Sequence, residues 1–225
     1  MPLAPRHLEL DLIELRRSLA AMGDLVEQGL ALATEGLLRP RAELREQAKA
    51  VESRLDELDQ QVEDRCQRII ALQAPMASDL RLLISALRIT ADLEQMGDLA
   101  ESVSKRGGYI ARHQVIENPP ELEQLCRTVE ATVRQCLKSI GDEDRRLVAD
   151  VVANEDASDD LTKACYQGIQ TRMAANPATI TEYTHLLRAV AQLEHIADLA
   201  LSIAEESVYI HRGTLIRHDH ENLTR

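Results

Sequence analysis

The chain has 225 residues, with 38 acidic against 26 basic side chains and a formal net charge of −12. It holds no Trp, no Phe and four Tyr, yet 44% of it is hydrophobic, so its core must be aliphatic. The charge has the wrong sign for neutralising phosphates and there is little to stack on bases, which excludes nucleic-acid binding; the shortage of aromatics also argues against a β-rich fold.

Cys66, Cys126, Cys136 and Cys165 show no CxxC spacing. They read as buried thiols of a reducing compartment, not as a disulfide framework. Residues 1–6 run into Glu9 and Asp11 without an apolar signal segment. No stretch approaches the ~18 uninterrupted apolar residues of a membrane span, so the expected location is cytoplasmic.

In chain order, the breaks fall at Pro40, Pro75, Pro119-Pro120, Gly141, Asn176-Pro177 and Gly213. Between them lie six segments with apolar residues at three-and-four spacing, each read as a helix. Pro40 fits the first turn of the second helix, where a missing N–H costs nothing, and Asp142 is placed to cap the fifth. Long helices with short connections make an elongated antiparallel bundle. The polar tail 214–225 is expected to fray.

The segments repeat. Arg88–Ser102, RITADLEQMGDLAES, recurs 100 residues later as RAVAQLEHIADLALS, and Tyr109-Ile110 recurs as Tyr209-Ile210. Upstream, Leu44, Glu52 and Asp56 correspond to Leu147, Glu155 and Asp159 at an offset of 103. The expected fold is therefore all-α: two tandem three-helix bundles related by an internal repeat, spanning 7–113 and 121–213.

Each half carries two Glu-x-x-x-Asp motifs: Glu52/Asp56 with Glu94/Asp98, and Glu155/Asp159 with Glu194/Asp198. Residues four apart share a helix face. If the second and third helices of each half pack antiparallel, the two pairs meet across a groove and gather four carboxylates. The aliphatic seam Leu80, Ile84, Leu87, Ala91 turns acidic at Glu94, Asp98 and Glu101. Crowded like charges raise one another's pKa, and a cation is the natural neutraliser. All-oxygen ligation suits Mg, Ca, Mn or Fe. A solvated acidic face is the plain alternative for any one motif; four at matched places raise the case for a metal until the two readings balance.

Ala74-Pro75-Met76-Ala77-Ser78-Asp79-Leu80-Arg81, followed by Asp92-Leu93-Glu94-Gln95-Met96-Gly97-Asp98, resembles the PhoU family of bacterial phosphate-uptake regulators. Leu193–Asp198 and Ala204–Tyr209 resemble its second signature, and the likeness covers residues 7–213. The resemblance implies tandem three-helix bundles without enzymatic activity. It implies multinuclear clusters of iron, zinc, nickel or manganese on Glu52, Asp56, Glu94 and Asp98, and on Glu155, Asp159, Glu194 and Asp198. It implies a negative regulator of the phosphate-starvation response, an adaptor between the ATPase subunit of the phosphate ABC transporter and a phosphate-sensing histidine kinase. A homodimer, touching the membrane only through its partners, is also implied.

Where the family reads Leu-Glu-Arg-Ile-Gly-Asp, this chain has Gln95 and His195 at the Arg position and Ala197 for the Gly; Ser102 and Ser202 stand for an Asn ligand. A ferritin-like enzyme would need two Glu-x-x-His motifs. Only Glu182/His185 fits, and its repeat partners are Leu82 and Ser85. A metal-free scaffold whose acidic grooves bind a basic partner keeps the same fold. His195 is read as a surface residue, Tyr109 and Tyr209 as structural anchors. No glycine-rich phosphate loop is present.

Overall fold

The computed structural model describes residues 4–39, 41–114, 116–142 and 144–213. The tail 214–225 lies outside them, as does Pro40. Apolar residues at helical spacing give six long helices: α1 (Ala4–Leu38), α2 (Ala42–Gln73), α3 (Ser78–Arg112), α4 (Glu121–Gly141), α5 (Arg145–Ala175) and α6 (Ile180–Arg212). A short 3₁₀ turn, Pro177–Thr179, leads into α6. Among the described residues there are no strands.

Two expected helix starts shift. α2 begins at Ala42, with Arg41 in an extended conformation before it. Asp144, not Asp142, caps α5: its side chain accepts from the Arg146 N–H. Asp144 is the residue immediately before the helix, whose carboxylate reaches the second free N–H, while Asp142 closes α4. The α2–α3 connection turns through Ala74, left-handed at φ +45° and ψ +57°, which costs a non-glycine residue about 1 kcal/mol, and through Ala77 at φ +47° and ψ −109°. Gly213 ends α6 at φ +72°, its N–H bonded to the Tyr209 carbonyl.

Helices α1, α2 and α3 pack as one bundle, and α4, α5 and α6 as the other. Small residues allow close approach. A Cβ on Gly107 would lie 2.6 Å from the Gly36 carbonyl oxygen, and one on Gly97 would lie 2.3 Å from Leu55 Cδ2. The departure to Ala197 in the second half is compensated. Leu55 corresponds to Ser158, which is fully buried, so a smaller neighbour leaves room for the alanine methyl. All four cysteines are free and buried; burial raises the Cys66 thiol to about 11 and the Cys165 thiol to about 12.

The bundles join mainly through α3 and α6. Contacts run antiparallel and follow the 100-residue offset. Ser202 Oγ donates to Asp92 Oδ2 at 2.8 Å, and its counterpart Ser102 Oγ accepts from Gln192 Nε2 at 2.7 Å. Gln95 and His195 face each other near the pseudo-twofold axis, 3.5 Å apart. At one end, Glu206, 5% exposed, accepts from Ser85 Oγ and from Arg88 Nη1, each at 2.9 Å.

Candidate metal centres

In the first half, α2 presents Glu52 and Asp56 one turn apart, and α3 presents Asp98 opposite them. Carboxylate oxygens of these three lie within 4.8 Å of one another. The second half repeats the arrangement with Glu155 and Asp159 on α5 and Asp198 on α6. The expected meeting of the motifs across a groove is therefore realised for six of the eight acids. Glu94 and Glu194, one turn earlier on α3 and α6, sit beside the groups and outside the tightest set. Their carboxyls still feel those of the triads.

The electrostatics are those of crowded acids. Burial first, then Asp56 and Asp98, raises the Glu52 carboxyl above its ordinary range. Asp98 is raised by burial and by Asp56; Glu94 by burial, then Asp98, Asp59, Asp56 and Glu52. Glu194 and Asp198 are raised by burial and by Asp159. Among the described residues, no basic side chain forms an ion pair with Glu52, Asp56, Asp59, Glu94 or Asp98.

The two halves differ. Asp59 adds a fourth acid on α2, raised by burial, Glu63 and Asp56. Its counterpart at the 103 offset is Thr162, and next to that stands Lys163, bonded to Asp160 at 3.2 Å. The Lys163 ammonium offsets part of the rise at Glu194. Asp59 belongs to the acidic stripe of α2 in the sequence, but its share in the cluster needed the α2–α3 packing to appear.

The donor set fits a hard cation. Every group is a carboxylate, and oxygens up to 4.8 Å apart match opposite ligands around an ion bound at ~2.4 Å. Ser102 and Ser202, at the expected Asn ligand positions, hydrogen-bond instead across the bundle interface. His195 is exposed beside Gln95 and belongs to no candidate group among the described residues. Glu182 and His185 are in none either, as His185 stacks on Tyr109 with ring centroids 3.9 Å apart. A groove of about 840 Å³ lies between α1, α4 and the adjoining ends of α3 and α6; none of the eight acids lines it.

Paired three-helix bundles with a carboxylate cluster at the same place in each define a class of tandem-repeat helical proteins. The PhoU domain model matches residues 19–107 and again 122–207. The chain belongs to the PhoU family. It is 30% identical over 211 residues to the phosphate-specific transport system accessory protein PhoU homolog of Pseudomonas aeruginosa, covering 92% of this chain and 86% of that one. The homolog of Aquifex aeolicus is also 30% identical, over 93% and 95% of the two chains. Crystal structures of PhoU from Pseudomonas aeruginosa and of the phosphate transport system regulatory protein PhoU from Streptococcus pneumoniae superpose with TM-scores of 0.86 and 0.84 at 30% and 25% identity. They cover 92% and 93% of this chain, and each is itself 99% covered.

Proposed function

We propose that this protein is a cytoplasmic negative regulator of the phosphate-starvation response and a modulator of phosphate uptake. In this reading it is an adaptor between the ATPase subunit of a phosphate ABC transporter and a phosphate-sensing histidine kinase. The observation that carries the reading is the PhoU domain in both halves, with relatives named as phosphate transport accessory proteins along nearly the whole chain. No described helix is long and apolar enough to cross a membrane, which is consistent with membrane contact through partners. Exposed Leu72 and Met76, at the α2–α3 turn, offer apolar surface for such a partner. The test is alkaline phosphatase activity in a deletion strain grown in high phosphate. High activity that a complementing copy returns to low supports the reading; unchanged low activity refutes it and leaves a paralogue with another task. A homodimer is part of the same reading, and light scattering should give twice 25.1 kDa.

The acid clusters support a second element of the proposal. Glu52, Asp56 and Asp98, with Glu94 beside them, would hold one metal centre, and Glu155, Asp159 and Asp198, with Glu194, the other. Bound metal would supply positive charge that offsets the mutual repulsion of the carboxylates. Elemental analysis of protein purified without chelator should find stoichiometric metal, lost in Asp98→Ala/Asp198→Ala. Absence from the wild type would leave the metal-free scaffold.

A further inference from the structure

The pseudo-twofold relation between α3 and α6 breaks in charge at the two ends of their interface. At one end of the interface, Arg88 meets the carboxylate of Glu206, with Ser85 as a second donor. Moving each residue by 100 gives the other end: Arg188, Arg106 and His185. The place of the carboxylate is taken by a guanidinium, and that of the hydroxyl by an imidazole. The antiparallel register that sets Arg88 against Glu206 sets position 106 across from Arg188, and burial first, then Arg188, holds Arg106 below the ordinary guanidinium range. Burial, Arg106, Arg188 and His113 all lower His185, and only Glu182 opposes them.

The cluster is held in position. Arg106 Nε donates to Gln192 Oε1 at 2.9 Å, and Gln192 is anchored in turn to Ser102. The Tyr109 ring lies between His113 and His185, with centroids 3.9 Å from each. Among the described residues, neither Arg106 nor Arg188 forms an ion pair, and Arg188 has no hydrogen bond. Glu182 is 7% exposed and also forms no ion pair there. Two guanidinium groups and the His185 imidazole thus stand at this end of the α3–α6 interface, where the sister position supplies an anion from the chain itself.

We propose that Arg106, Arg188 and His185 form a binding site for a small dissolved tetrahedral oxyanion such as inorganic phosphate. Guanidinium forks pair with such oxygens in two-pronged fashion. Donors arriving from both α3 and α6 suit an anion with three or four oxygens better than a two-oxygen carboxylate. The bound anion does across α3 and α6 what Glu206 does at the other end: it holds the bundles together. The inference stands on the cationic cluster alone and does not depend on the regulatory reading.

The experiment is a titration of the full chain with inorganic phosphate, sulfate, acetate and chloride at matched ionic strength, followed by thermal unfolding and by the NMR signal of His185. Phosphate and sulfate should stabilise saturably and raise the pKa of His185, with acetate weaker and chloride without effect. Arg188→Gln should weaken phosphate by about tenfold or more. Arg106→Glu copies the sister ion pair, so it should raise stability in the absence of phosphate and abolish the response. Arg88→Gln, at the other end, should leave phosphate affinity unchanged. An equal response to chloride, or a full phosphate response in folded Arg106→Glu, would overturn the proposal.

Discussion

At Glu52, Glu94 and Asp98, burial and neighbouring carboxylates favour the protonated form in the folded state. An acid whose folded pKa is raised contributes stability that is present at low pH and lost as pH rises through the folded value. The metal-free protein should therefore gain stability as pH falls from neutral toward the carboxylate range. Added divalent cation should reverse the slope, since cation and proton compete for the same oxygens. Thermal unfolding between pH 7 and 5 checks this, and Asp98→Asn/Asp198→Asn should flatten both responses. A slope that survives unchanged in that variant would assign the effect to the general excess of acid. Asp59 in one half and Lys163 in the other make the clusters unequal. Metal titration should fill the first half before the second, and Lys163→Gln should narrow the gap.

Among the elements, two adjacent glycines of α3 differ in what surrounds them. Gly107 faces the Gly36 backbone carbonyl, which cannot move aside, while the nearest atom to a Cβ on Gly108 is Arg45 Cδ at 3.6 Å, an ordinary contact. Gly107→Ala should destabilise by about 2 kcal/mol because forced overlap outweighs the helix propensity gained. Gly108→Ala should stabilise by up to about 1 kcal/mol, as replacing a helix-interior glycine ordinarily does. Urea denaturation of the two variants separates the effects. Gly97 is intermediate: its obstacle is the end of the Leu55 side chain, so Leu55→Val should relieve the cost of Gly97→Ala.

Across the whole molecule, the two bundles are coupled by the dyad-related contacts of α3 and α6. Arg88→Ala removes the cation from a carboxylate that is 5% exposed. The cost should be about 2 kcal/mol, below the figure for a fully buried pair because Arg88 is itself 42% exposed. Glu206→Gln keeps an oxygen for Ser85 and should cost less. Equilibrium unfolding measures both, and an Arg88→Ala change under about 0.5 kcal/mol would show that the pair does not couple the bundles.

The sequence by itself determined the helices, their punctuation, the repeat and the eight acids. Periodicity, proline and glycine breaks, and a recurring fifteen-residue motif are local signals that chain order preserves. Capping was legible only to within two residues, because Asp142 and Asp144 are equally good caps and the end of α4 decides between them. Tertiary structure alone decided that Glu94 and Glu194 stand beside the triads, that Ser102 and Ser202 turn to the bundle interface, and that Arg106 stands across from Arg188 in the α3–α6 register. Those pairings depend on which side of α3 faces α2 and which faces α6. Every residue on a long helix carries the same periodic signal whichever neighbour it meets, so only the packed molecule shows where two cations stand in place of an ion pair.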